Sequence, residues 1–160
     1  MLKIGHGIDV HAFAPDRNLI IGGIEIPYHK GLAGHSDADV LIHAICDSIL
    51  GAAGLGDIGN HFPDSDEKYH NIDSKILLRE VISKIHTEKF EVVNIDSTII
   101  AQLPKLSPYI NSMREILSPI LKVKKNNLNI KATTTEKLGF TGREEGIEAH
   151  AICLLQSFTI

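Results

Sequence analysis

The alternation in Gly5-His6-Gly7-Ile8-Asp9-Val10-His11 constrains this chain more than any other stretch. Side chains of an extended segment point to opposite faces in turn, so Asp9 and His11 share one wall while Ile8, Val10 and Ala12 share the other. One carboxylate and one imidazole therefore stand side by side. If His43, on the helix that follows, meets them, two nitrogens and one oxygen surround a divalent metal with a fourth position open. That is the composition of a catalytic zinc site rather than a structural one.

The pattern downstream fits a strand that feeds a helix. Leu19 to Pro27 reads as two short strands hinged at Gly22-Gly23, and Tyr28 to Gly34 as a loop. Ser36 is a natural N-cap for a helix reaching about Ala53, with Asp37 and Asp39 complementing its dipole and Leu41, Ile42, Ile45, Cys46, Ile49 and Leu50 forming its buried stripe. Free N–H groups at that helix start, beside His35, suit a phosphate. His43 shares a face with Asp39 and Asp47, either of which could fix its tautomer. Gly51 to Asp66 has neither period and reads as a long functional loop. Asp73 caps a second helix. Phe90 to Gln102 is the longest later strand, with Val93, Ile95, Ile99 and Ala101 on one face. Ser107-Pro108 opens a third helix that Ser118-Pro119 interrupts or restarts. Leu128 to Thr134 and Ile147 to Phe158 close the chain, separated by a glycine-bearing loop.

This order implies an α+β fold, a two-layer sandwich in which a mixed β-sheet is covered on one face by helices. At 160 residues and 43% hydrophobic the chain is expected to form a single domain over 1–160. A net charge of −4 argues against nucleic acid, and no apolar run spans a bilayer. Without a secretory signal pattern, the expected compartment is cytoplasmic. Cys46 and Cys153 fit buried free thiols.

Lys131 to Gly146 is the second chemically dense stretch. Its bland reading is β propensity followed by a turn or solvated loop. Threonine hydroxyls and N–H groups at a strand end, followed by Glu136, can also hold phosphate oxygens and a hard cation. Phe140 could supply an apolar wall and Arg143 a fork for an anion. Together the two stretches point to metal-assisted phosphoryl chemistry, without revealing a base or a sugar.

Five ordered blocks carry a resemblance over essentially the whole chain: Gly5 to His11, Gly34 to Val40, Leu55 to Gly59 with Phe62 to Asp66, Ala101 to Leu106, and Ala132 to Arg143. They resemble the 2-C-methyl-D-erythritol 2,4-cyclodiphosphate synthases of non-mevalonate isoprenoid biosynthesis. Ala38 and Ser65 stand where the family usually has glycine and threonine, and Ile8 where many members carry an aromatic.

The resemblance implies a homotrimer with active sites at subunit interfaces and one Zn²⁺ per subunit on Asp9, His11 and His43. The small-molecule substrate is then 4-diphosphocytidyl-2-C-methyl-D-erythritol 2-phosphate, whose 2-phosphate attacks the β-phosphorus and expels CMP. It implies Mg²⁺ or Mn²⁺ on Glu136, and His35 and Thr134 as donors to developing charge, with Ser36 behind His35. Asp57, Ile58 and Gly59, with Phe62, Pro63, Asp64, Ser65 and Asp66, would hold the methylerythritol part. Ala101, Gln102, Leu103, Pro104, Lys105 and Leu106, with Thr133, Thr134 and Thr135, would form the cytidine pocket. The metal ligands are expected on one chain and the loop carrying Asp57 on its neighbour. Two other readings remain open: a zinc-dependent nucleotide phosphohydrolase, and a non-enzymatic trimeric module whose axial cavity holds an isoprenoid diphosphate near Arg143 and Glu145.

Overall fold

Strand β1 (Leu2–Ala14) carries glycine where the first helix must come close, and the fold is built on that approach. The computed structural model describes residues 1–159. After β1 come the hairpin β2 (Leu19–Ile21) and β3 (Ile24–Ile26), the short β4 (Gly31–Leu32) and helix α1 (Val40–Ala53). Helical turn α2 (Ile58–His61), helix α3 (Ser74–Thr87), β5 (Phe90–Ile100) and helix α4 (Ile110–Leu121) follow, then β6 (Leu128–Thr133), turn α5 (Gly139–Gly142) and β7 (Gly146–Ser157). The main sheet has the order β4-β1-β7-β5-β6, antiparallel except for the parallel pair β5 and β6. Helices cover one face, as the element order predicts.

A Cβ added at Gly5 or Gly7 would fall 2.0 Å from the backbone oxygen of Ser48 or Ala44. Only a strand without side chains there lets α1 lie directly on the sheet. α1 is buried on nearly every side, with Ala44, Ser48 and Ala52 toward β1 and Leu41, Ile45 and Ile49 in the core. Gly22 and Gly23, at φ +63° and +77°, make the tight turn between β2 and β3 that such φ values permit in a two-residue hairpin.

Five local expectations are corrected. Ser36 does not cap α1: Asp39 does, accepting from the Ile42 N–H and also from those of Gly22 and Gly23. A carboxylate with two oxygens can close the helix and pin the hairpin at once, which a hydroxyl cannot. In β5 a bulge between Val92 and Asn94 shifts the alternation, so Val92 rather than Val93 is buried with Ile95, Ile99 and Ala101. Ser107 opens a short 3-10 turn without capping α4, and Pro119 sits inside the last turn of α4 without interrupting it. The loop before β7 contains α5. Asp73 caps α3 as predicted, and Cys46 and Cys153 are buried and free.

The uncovered face of the sheet is unusual. Leu2, Ile4, Ile8 and Val10 of β1 and Ile152 of β7 are all 46% exposed or more. No helix among the described residues is long and apolar enough to cross a membrane.

Candidate active site and metal centre

Asp9 and His11 lie on the helix-covered side of β1, where α1 brings His43 to meet them. His11 Nε2 is 2.7 Å and His43 Nδ1 3.1 Å from Asp9 Oδ2, and the two nitrogens are 3.2 Å apart. Ligands at about 2.0–2.1 Å from one zinc ion stand roughly 3.3 Å from each other in a tetrahedron, so the three atoms already have the spacing of one coordination face. Among the described residues they are the one group of three or more such side chains close enough to share an ion.

Both rings are held from behind. His11 Nδ1 donates to the Ala33 carbonyl at 2.6 Å, which leaves Nε2 with a lone pair for the ion. His43 uses the opposite nitrogen. Its Nε2 faces Ser74 Oγ at 2.9 Å and Ser36 Oγ at 3.1 Å, leaving Nδ1 toward Asp9. Ser74 Oγ–H in turn donates to Asp37. The expectation that Asp39 or Asp47 orients His43 is therefore corrected: Asp39 is occupied with the helix cap, and Asp47 accepts from the Ile58 N–H at 2.7 Å.

Burial alone would raise the pKa of Asp9, but hydrogen bonds and charge from His11 and His43 outweigh it and hold the carboxyl well below the usual range. Burial would lower His11, yet its hydrogen bond and attraction to Asp9 raise it above the ordinary value. Protons and a cation thus compete for the same atoms.

The triad opens into a cavity of about 240 Å³. Gly34, His35 and Ser36 form one side, and Ile58, Gly59, Phe62 and Asp64 another. Arg17 fixes the first side by donating to the Gly34 and Ser36 carbonyls. His35 Nε2 is buried without a hydrogen-bond partner among the described residues, and its ring packs edge-on against His70. Several N–H groups around the start of α1 are taken up within the chain: Ala38 donates to Ser36 Oγ, Asp39 to Asp37 and Ile42 to Asp39. Ala38 adopts φ +57°, a conformation glycine takes more readily.

Not every residue of the second loop reaches this cavity. Asp57 caps α2 through the Asn60 N–H and Asp66 caps a short turn through the Lys68 N–H, while Pro63 and Ser65 are exposed. Because Ile58, Gly59, Phe62 and Asp64 line the cavity of their own metal triad, the placement of this loop against a neighbouring chain's metal is overturned. Asp47 explains it, tying the loop to α1 one turn beyond His43.

A separate cavity of about 310 Å³ is lined by Ala101, Gln102, Leu103, Pro104, Lys105 and Leu106, with Ser107 and Ala132, Thr133 and Thr134 opposite. Gln102 Oε1 accepts from the Lys137 N–H, joining its two walls. Thr134 Oγ1 accepts from the Glu136 N–H and lies 3.4 Å from its carboxylate. Thr135 turns away, its hydroxyl bonded to Leu138 O and Thr141. Phe140 and Arg143 line neither cavity, and Arg143 pairs with Glu145 instead of awaiting an anion. Sequence reasoning missed Ser74, Asp37 and Arg17, whose roles come from contacts between distant segments.

The two cavities share no residue and open at one end of the sheet. β1, β5 and β6 all end there, but β1 and β6 are three strand spacings apart, about 14 Å.

A family model described as the YgbB family matches residues 2–156. A protein of Francisella tularensis subsp. novicida, named 2-C-methyl-D-erythritol 2,4-cyclodiphosphate synthase, is 58% identical over 154 residues, covering 96% of this chain and 97% of its own length. A protein of the same name from Geobacillus thermodenitrificans is 56% identical over 156 residues, or 98% of each chain. Among solved structures, the bifunctional IspDF from Campylobacter jejuni superposes with a TM-score of 0.95 at 44% identity, over 99% of this chain and 43% of that one. The CDP complex of IspF from Plasmodium falciparum superposes at 0.86 with 34% identity, over 99% and 97%. With the predicted blocks in one fold, the metal triad assembled and nearly the full length matched, the chain belongs to the YgbB family.

Proposed function

We propose that this chain is a phosphorus–oxygen lyase of isoprenoid biosynthesis. It converts 4-diphosphocytidyl-2-C-methyl-D-erythritol 2-phosphate to 2-C-methyl-D-erythritol 2,4-cyclodiphosphate and CMP. The observation that carries the reading is the Asp9–His11–His43 triad, with both imidazoles fixed in the tautomers that direct lone pairs at one point beside a cavity. Curated relatives of the same length bear this activity in their names.

Ring closure needs the 2-phosphate aligned with the β-phosphorus and the developing charge neutralised, with no covalent nucleophile on the protein. A zinc ion held by Asp9, His11 and His43 would supply Lewis-acid polarisation of the β-phosphate. His35, at the wall of the same cavity, donates to phosphate oxygen, and Ser36 and Arg17 keep its loop in place. Ile58, Gly59 and Phe62 pack the methylerythritol part and Asp64 accepts from its hydroxyls. The Ala101–Leu106 wall takes the cytosine through backbone groups, while Lys105 and Thr134 approach the phosphates. Glu136, beside Thr134, offers an oxygen to Mg²⁺ or Mn²⁺, which in such sites keeps most of its ligands from substrate and water.

The two cavities share no residue, and β1 and β6, which carry part of each, lie about 14 Å apart across the strands of one chain, while a diphosphate bridges only a few ångströms. This supports an active site completed by a second chain. The exposed apolar face of Leu2, Ile4, Ile8 and Val10 gives a homotrimer its contact surface. The setting is cytoplasmic, with neither nucleic acid nor membrane as a partner.

The test is to incubate purified protein with the cytidyl substrate in ¹⁸O-labelled water and follow CMP by chromatography. CMP release with no label in either product is expected. Label incorporation would replace the reading by hydrolysis, and substrate binding without turnover would replace it by a binding module.

A further inference from the structure

A second histidine group stands on the opposite face of β1, away from the site above. His6 Nε2 lies 3.2 Å from His150 Nδ1, the rings stack at a centroid distance of 5.4 Å, and His150 Nε2 lies 2.7 Å from Glu148 Oε1. The strand register explains the pair: His6 faces Ile152 and Ile8 faces His150 across β1 and β7, which makes the two histidines diagonal neighbours on one face. Glu148, two residues before His150, shares that face.

We propose that His6 and His150 bind a divalent transition-metal ion, with Glu148 as the residue that orients His150. A carboxylate accepting from His150 Nε2–H leaves Nδ1 with its lone pair toward His6, the same carboxylate–imidazole arrangement that prepares ligating histidines elsewhere. Two imidazoles bound to one ion at about 2.1 Å place their nitrogens roughly 3.0–3.4 Å apart, from right-angle to tetrahedral geometry. The pair has that separation already. Without an ion, one proton lies between the rings. Binding requires only that His6, which is exposed, carry its proton on Nδ1 instead. Nitrogen donors select a borderline cation such as Zn²⁺, Ni²⁺ or Cu²⁺ over Mg²⁺ or Ca²⁺. Ile4, Ile8 and Ile152 border the group, so the ion sits among apolar side chains. Its remaining positions are filled by water or by the same pair of another copy. This inference does not rest on the proposed reaction.

Equilibrium dialysis of the metal-free protein against Zn²⁺, with bound metal counted by elemental analysis, tests it. The wild type should bind more zinc than its Asp9–His11–His43 site accounts for, and His43→Ala, which breaks that site, should keep the extra fraction. His43→Ala/His150→Ala should lose it. Glu148→Gln, which preserves shape, should weaken it about 10-fold. His150→Gln, with circular dichroism as a fold control, covers the case in which the alanine variant unfolds. No extra zinc in the wild type, or extra zinc unaffected by the His150 substitutions, overturns the proposal.

Discussion

Replacing Ser74 by alanine should weaken the metal centre without touching a ligand. Ser74 is fully buried at the start of α3, its hydroxyl accepts from His43 Nε2 at 2.9 Å, and its own proton goes to Asp37. Loss of a hydrogen-bonded group behind a ligating histidine typically costs 10–100-fold in metal affinity. Ser36 Oγ remains 3.1 Å from the same nitrogen, so the single variant belongs at the low end, about 10-fold or roughly 1.4 kcal/mol. Ser36→Ala/Ser74→Ala should approach 100-fold. Asp37 keeps the Ser74 N–H and the Asp39 N–H as donors, so the folding cost of the single change should stay near 1–2 kcal/mol. A competition titration against a chromogenic zinc chelator reads the affinity, and urea unfolding of the metal-free protein reads the stability. Should Ser74→Ala lose stability while its zinc affinity matches the wild type, the hydroxyl would be a packing group only, and the tautomer assignment for His43 would fail.

Other perturbations separate the remaining links. The raised pKa of His11 contributes stability to the metal-free protein that is complete below about pH 6.5 and is lost as pH rises through the raised value. Zinc must displace that proton, so the melting temperature of the metal-free protein should drift down above neutrality while the increment added by zinc grows; an increment independent of pH would refute the competition. Glu136→Gln should blunt the response of activity to Mg²⁺ or Mn²⁺ with zinc content unchanged, and an unaltered Mg²⁺ titration would remove Glu136 from the cation site. Mixing His43→Ala with Thr134→Val chains, under conditions that exchange subunits, should restore part of the lost activity if the two cavities meet between chains. Mixed oligomers that form and stay inactive would place both halves of the site within one chain.

The parts of this fold that were legible in the sequence are those governed by local periodicity. Alternation in β1 placed Asp9 and His11 together, and helical spacing put His43 on a face apart from the Leu41–Ile45–Ile49 stripe, so the triad could be read before any contact was known. Local rules failed where one polar group serves two partners. Ser36 has the capping chemistry, but Asp39 also had to hold Gly22 and Gly23, and no rule confined to one helix sees the hairpin. The same limit hid Ser74, which reads as an ordinary first-turn residue after its Asp73 cap and becomes part of the metal centre only because α3 packs beside α1. The bulge in β5 left no signal in Val92-Val93, since either valine satisfies the pattern. Conversely, Thr135, Phe140 and Arg143 belong to a recognised block, yet sharing a block with cavity residues does not decide where each side chain turns.

β1 serves both faces of the sheet with one alternation, and this makes its glycines matter to a site they do not enter. Gly7 is two residues before Asp9 on the covered face, and its backbone is where α1 rests, one residue past His43. In Gly7→Ala the new Cβ would meet Ala44 O at 2.0 Å and Ser48 N at 2.6 Å, well inside the distance real Cβ atoms keep. Both obstacles are backbone, so no side chain can rotate aside and the helix must move off the strand by about an ångström. Overpacking of this kind costs roughly 1–3 kcal/mol. The His43 Nδ1 position moves with the helix, out of the 3 Å spacing that lets three atoms share one ion. Gly7→Ala should therefore lose zinc affinity together with stability, whereas an equally destabilising cavity on the far side of the core, such as Leu117→Ala in α4, should lose stability alone. Equal zinc affinity in the two variants would mean that the helix yields elsewhere, and that the close approach at Gly7 does not set the position of His43.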